Sequence, residues 1–289
     1  MVKQTFFYLA SLVIFSTGKA YGCLVAEDST RLAVAGGSIT EVLYAINAQD
    51  KIVALDTTSN YPPEAKNLPS IGYVRNLSSE GLLSLNPTLV LGENDIGPPA
   101  VLSQLERTGI DVRIIEEKHS AVGILNKIKC IGKIINQNDE TAEFISSYLI
   151  PQIDKLETLA SSNRVSGLKV MFILMIQGGS PIVSGRGTSA HGLISMSGAK
   201  NIMSQHDGWK QISPESIIEA NPDAVIITQR GLDSYGTIEA LYAHPSLSLT
   251  SAFHNRRVIV MDGMAMIGFG PRTIYSAVKI AGMLDEMAK

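Results

Sequence analysis

The sequence predicts an α/β protein of two lobes, each built on a central, mostly parallel sheet, with a long helix joining them. Three observations carry this prediction. Short apolar runs alternate with helical patterns through most of the 289-residue chain, which is the signature of βα units. The alternation stops between about residues 121 and 162, where two helical stretches follow each other, and then resumes. Residues 77–91 also align with residues 212–226 at a constant offset of 135. Ser78/Ser213, Glu80/Glu215, Asn86/Asn221, Pro87/Pro222 and Val90/Val225 are identical, and Leu and Ile exchange at four further places. Two similar lobes leave a cleft between them, a common place for a small-molecule site.

The N-terminus reads as an address. Lys3 precedes the apolar run 6–15, and small residues follow at Ala20 and Gly22. This is the pattern of a secretory signal peptide over residues 1–22, with an apolar core too short to span a bilayer. Its removal takes away Lys3 and Lys19 and no acid, so the formal net charge moves from −3 to −5. Cys23 as a lipid-modified terminus is disfavoured, because Tyr21 stands where a small residue is preferred. Only Cys23 and Cys130 are present. They pair in an oxidising compartment, or Cys130 stays a buried thiol in a helical segment; the residues leave both open.

The first lobe, 23–138, starts with the strand Leu32-Ala33-Val34-Ala35, the turn Gly36-Gly37-Ser38 and a helix with apolar residues at helical spacing, for which Ser38 is a candidate N-cap. Further strands are expected at 52–55, 88–91 and 112–115, with a helix from Val101 ending at the C-cap glycine Gly109. Helical stretches at 121–135 and 140–161 break near Asn136-Gln137-Asn138, and Pro151 kinks the second or lies in its first turns. The linker helix is placed at 139–162. The second lobe, 163–289, has strands at 169–176, 224–228 and 258–261 and a closing helix at 271–288. Gly178-Gly179-Ser180 echoes Gly36-Gly37-Ser38, each after a lobe's first strand.

With 45% hydrophobic and 18% charged residues the chain is neither disordered nor low-complexity. It lacks the basic stripe of a nucleic-acid binder, so nucleic acid is not an expected partner. No Gly-x-Ser-x-Gly elbow, phosphate loop or His-Glu-x-x-His stretch occurs, and the five histidines show no short ligand spacing. The sharper feature is Tyr73-Val74-Arg75. In an extended segment these two side chains share a face. A phenolate beside a guanidinium is a hard anionic oxygen ligand, and tyrosinate is one of the axial ligands of ferric haem.

From about Arg31 onward the chain resembles the periplasmic haemin-binding proteins of bacterial haem ABC importers, within the wider group that serves siderophores and cobalamin. The matching segments are Gly72-Tyr73-Val74-Arg75-Asn76-Leu77-Ser78-Ser79-Glu80-Gly81, Leu85-Asn86-Pro87, Gly178-Gly179, Gly185-Arg186-Gly187-Thr188 and the stretch from Asp262 to Thr273 containing Gly268-Phe269-Gly270-Pro271-Arg272-Thr273. The fold implied is that of a helical-backbone periplasmic binding protein with two Rossmann-like lobes. The resemblance implies haem as the transported ligand, Tyr73 as the iron ligand and Arg75 as its charge partner. Gly37, Ser38, Gln177, Arg230, Met264 and Met266 are expected at the haem-binding cleft. Glu80 and Glu215 are expected to dock on basic pockets of an inner-membrane ABC permease that works with its ATPase, downstream of an outer-membrane haem receptor. The expected place is the periplasm, and the protein is not expected to be an enzyme. Some relatives carry a His where this chain has Gln177, so a second, His-assisted haem is not expected. The competing readings are a ferric-siderophore or cobalamin carrier of the same fold and a secreted α/β enzyme working in the cleft.

Overall fold

The structure, a computed structural model, describes residues 22–289. The leader expected over 1–22 lies outside them apart from Gly22. The first lobe holds a four-stranded sheet in the order β2-β1-β5-β6, from Ile52–Leu55, Leu32–Ala35, Leu89–Gly92 and Asp111–Ile114. Every pairing in it is parallel. β1, β2 and β5 are short apolar runs because both faces are covered, whereas the edge strand β6 carries Asp111 and Arg113. Leu32 and Val34 point into one core with Leu89 and Leu91, while Ala33, Ala54 and Val90 point into the other.

Between β2 and β5 the chain folds a two-stranded hairpin, β3 (Gly72–Tyr73) against β4 (Asn76–Leu77). The second lobe contains β7 (Lys169–Gln177), β8 (Ser180–Ser184), β9 (Lys200–Asn201), β10 (Trp209–Gln211), β11 (Ala224–Thr228) and β12 (Val258–Met261). They are ordered β10-β8-β7-β11-β12, with β9 beside β7. This sheet is mostly parallel, as expected, with β7 beside β11, β11 beside β12 and β9 beside β7 all parallel. β8 is the exception, running antiparallel to both β7 and β10. The cause is the Gly178-Gly179 turn. Both residues have positive φ, +56° and +77°, and a two-residue loop of that kind joins only antiparallel neighbours. Gly36-Gly37-Ser38 instead runs straight from β1 into the helix Gly37–Ala45, so the two glycine pairs share letters and not a structure.

The repeat at offset 135 is structural. Ser78 and Ser213 cap the helices Ser79–Ser84 and Pro214–Ala220, each hydroxyl accepting from a backbone N–H three residues on at 3.3 Å. Asn86 and Asn221 end them in the left-handed region (φ 46° and 40°), which Asn tolerates better than most residues.

After the helix Ala121–Ile134, the connection over 138–160 is one continuous helix widened over Ile145–Leu149. Pro151 has no N–H to close an ordinary turn, and the wide turn just ahead absorbs the break. Ile145, Leu149 and Ile153 belong to the first lobe's core and Leu156 to the second's. The C-terminal helix Pro271–Met287 packs alongside and makes the same passage, with Ile274 in one core and Ala277, Ile280 and Leu284 in the other. Two helices therefore bridge the lobes. Cys23 and Cys130 form a disulfide that ties the start of the described chain to the helix before the bridge. That pairing settles the open question of the cysteines. No helix among the described residues is long and apolar enough to cross a membrane.

Candidate functional site

In a parallel α/β sheet, ligand-binding groups gather outside the carboxyl ends of the strands. In the first lobe β1 is followed by Gly36–Ser38, β2 by Asp56, β5 by Glu93 and β6 by Glu117. The hairpin lies over the same edge. Its Gly72 carbonyl accepts from Thr57 N–H, and Leu77 N–H donates to the Gly97 carbonyl, both at 2.9 Å. Val74 and Leu77 anchor its underside in the core with Leu82, Val90 and Ile96. Tyr73, 43% exposed, is left on the outer side.

Tyr73 and Arg75 meet, but not by strand alternation. Val74 and Arg75 form the two-residue turn between β3 and β4. The Arg75 guanidinium folds back, and its Nη1 donates to the Tyr73 hydroxyl oxygen at 2.7 Å. Its Nη2 pairs with Asp95 at 2.5 Å. Partial burial works against the guanidinium's charge, but Asp95 first and Tyr73 second outweigh it and raise its pKa above the ordinary value. Asp95 is a residue that sequence reasoning missed, although its place just past a buried strand end was a usable signal.

Behind the hairpin a chain of polar contacts crosses the strand ends. Ser38 donates to Glu93 Oε1 at 2.6 Å and accepts from Lys127 Nζ at 2.8 Å. Lys127 also pairs with Glu117 at 2.5 Å, and Glu117 bonds His119 at 3.1 Å. Lys127 is only 2% exposed and Ser38 is fully buried, and a buried ammonium requires such partners. Ser38 is thus corrected from a ligand-facing group and from an N-cap. It lies inside the helix with its hydroxyl committed to Glu93 and Lys127, and the cap position falls on Gly36.

Burial pushes the Glu93 carboxyl up to about 7, against the opposing pull of Lys127 and the Ser38 hydroxyl. For Glu117 burial acts upward too, but the hydrogen bond from His119 and the charge of Lys127 prevail and hold it below the usual range. The folded state therefore keeps a proton on Glu93 that the unfolded chain releases near pH 4.5. Its contribution to stability is complete below that value and is lost as pH rises through 7. We expect Glu93→Gln to flatten the fall in folding stability between pH 5 and 8, measured by urea denaturation. The ceiling on the slope removed is about 1.4 kcal/mol per pH unit for one proton, and identical slopes in the two proteins would contradict the assignment.

The lobes meet along a floor of close contacts. A Cβ on Gly37 would come within 2.7 Å of the Met264 methyl, and one on Gly192 within 2.5 Å of His119 Cβ. The His119 and Phe269 rings are 4.8 Å apart. Arg272 places Nε and Nη2 on Glu41 Oε1 at 2.9 and 2.6 Å, with its guanidinium 3.8 Å from the centre of the Tyr61 ring. Burial raises the Glu41 carboxyl above its ordinary value even with Arg272 beside it.

The remaining expected residues scatter. Met264 sits at this floor, but Met266 is fully buried in the second lobe's core and is corrected from a cleft residue. It lies two positions on in the short helix Gly263–Ile267, which turns it to the opposite side. Gln177 ends β7 with an exposed side chain. Arg230 is exposed in the first turn of the helix Gln229–Tyr235, directly after β11, with no ion-pair partner among the described residues. Glu80 and Glu215 are both exposed in the first turns of their matched helices. Glu215 is held below the usual carboxylate range by its own backbone N–H and the Ser213 hydroxyl.

Residues 32–265 match the model of the periplasmic binding protein family. The chain belongs to that family. Its members and structural neighbours are substrate-binding transport proteins. Among solved structures it is similar to the periplasmic haem-binding protein BhuT in complex with two haems. The TM-score is 0.85 at 32% identity, covering 91% of this chain and all of that one. Among curated proteins it is 27% identical over 249 residues to the uncharacterized ABC transporter substrate-binding lipoprotein YvrC of Bacillus subtilis (strain 168), covering 84% of this chain and 76% of the relative. It is 25% identical over 250 residues to the vitamin B12-binding protein of Pectobacterium atrosepticum, covering 86% of each. The family's two-lobed α/β fold with a helical bridge is the fold described above.

Proposed function

We propose that this chain is a periplasmic haem-binding protein that takes ferric haem in the crevice between its lobes and delivers it to an ABC permease for import. In this reading the signal peptide is 1–22, the lobes are 23–138 and 163–289, and the linker is 139–162. Tyr73 coordinates the iron and Arg75 supports its phenolic oxygen by charge. Glu80 and Glu215 dock on the permease and its ATPase complex, and an outer-membrane receptor supplies haem upstream. The single observation that supports this most is the exposed Tyr73 hydroxyl with a guanidinium 2.7 Å away, at the ligand-binding edge of the sheet. The test is a titration with ferric haem read by visible absorption. A ferric-tyrosinate spectrum is expected, and a spectrum without phenolate ligation overturns the reading.

A cobalamin or ferric-siderophore carrier is the second reading, supported by the likeness to the vitamin B12-binding protein. A ferric siderophore fills the coordination positions of its iron and cobalamin holds cobalt, whereas haem leaves an axial position on iron open to Tyr73. Competition between cyanocobalamin and haem separates the two. Stoichiometry is a further expectation. Gln177 offers an amide where a second iron ligand would stand, so one tight haem per chain is expected. A titration that breaks cleanly at two haems, as BhuT's two-haem complex illustrates for that protein, contradicts it.

A further inference from the structure

Arg75 occupies a turn on the outside of the molecule, with its side chain 61% exposed. A side chain with that many rotatable bonds is poorly fixed by one hydrogen bond to Tyr73. The second contact comes from another part of the chain. Asp95 holds Nη2 at 2.5 Å while Nη1 stays on the Tyr73 oxygen at 2.7 Å, so both arms of the guanidinium are engaged. Asp95 lies in the loop after β5, and backbone bonds set its place relative to the hairpin. Gly97 N–H donates to the Val74 carbonyl and Leu77 N–H to the Gly97 carbonyl, both at 2.9 Å. Ile96, the next residue, is buried in the same core as Val74. The nearest other acid of that loop, Glu93, is committed to Ser38.

We propose that Asp95 is a positioning residue for the tyrosine ligand, holding the Arg75 guanidinium so that one of its arms remains on the Tyr73 oxygen. This rests on the reading that Tyr73 binds haem iron. An ion pair this exposed contributes little to folding, so its effect is expected on the ligand and not on melting.

The experiment compares Asp95→Ala, Asp95→Asn, Arg75→Ala and the double variant Arg75→Ala/Asp95→Ala in ferric haem titrations. Affinity and the energy of the phenolate-to-iron charge-transfer band are both read. Asp95→Ala is expected to weaken haem binding about tenfold, the scale of one hydrogen bond to a charged group, and to move the band in the same direction as Arg75→Ala. Asp95→Asn, which keeps the shape and an acceptor, falls between it and the unsubstituted protein. The double variant is expected to be no worse than Arg75→Ala alone, because Asp95 acts only through that side chain. Asp95→Ala with unchanged band and affinity overturns the proposal, and so does a double variant that loses the product of the two single effects. Tyr73→Phe keeps the two readings apart. If the unsubstituted protein shows no band that Tyr73→Phe removes, the ligation reading falls and the proposal with it. A band present and unmoved by Asp95→Ala removes the Asp95 role alone.

Discussion

Tyr73→Ala is expected to lower haem affinity by more than about 100-fold while the protein stays folded. Second-sphere partners of metal ligands are worth ~10–100-fold, and loss of the ligand itself exceeds that. Folding is spared because Tyr73 stands 43% exposed on the outer side of the hairpin, whereas Val74 and Leu77 carry the packing beneath it. Tyr73→Phe keeps the ring and removes only the oxygen, so it should match the alanine variant in affinity and absorption spectrum. If either variant retains the ferric spectrum and affinity of the unsubstituted protein, iron is held elsewhere.

Reversing charge at both docking positions, Glu80→Lys with Glu215→Lys, is expected to bring haem transfer to a reconstituted permease close to background with haem affinity intact. The two carboxylates are exposed at matched places in the two copies of the repeat, one on each lobe. They are therefore placed to meet two separate basic pockets. Exposed pairs are screened over about 10 Å at 0.1 M salt, so transfer by the unsubstituted protein should weaken as salt rises. The competing role is local. A carboxylate in the first turn of a helix interacts favourably with its N-terminal dipole, and Glu215 shows that interaction with its own N–H and Ser213. That role alone predicts a lower melting temperature and normal transfer. Transport by the double variant at the unsubstituted rate rules out docking.

The lobes and their parallel strands were legible because buried strands leave uninterrupted apolar runs, as at Leu32–Ala35 and Ala224–Thr228. The paired helices were legible from capping chemistry, with Ser78 and Ser213 at one end and Asn86 and Asn221 at the other. These signals are local. A cap is made within a few residues, and a hydrophobic run fixes burial wherever the partner strand comes from.

The polarity of β8, the hairpin at Tyr73 and the partners of Ser38 were not legible in this way. Gly-Gly-Ser reads alike at 36–38 and 178–180, yet one turn leads into a helix and the other reverses a strand, because each packs against different neighbours in space. Met264 and Met266 are indistinguishable in the sequence motif, but helix rotation sends one to the interlobe floor and the other into the core. The two matched acids, the two-lobed α/β frame and the closeness of Tyr73 to Arg75 along the chain were legible in the sequence by itself, but the way that pair meets, across the Val74-Arg75 turn of a hairpin, was not. Only the tertiary structure decided what those residues touch. Asp95 reaches Arg75 from the loop after β5, Lys127 reaches Ser38 from a helix 89 positions away, and Arg272 reaches Glu41 from 231 positions away. Such contacts form where folding brings strand ends and helix starts to one edge, and no spacing along the chain encodes that meeting.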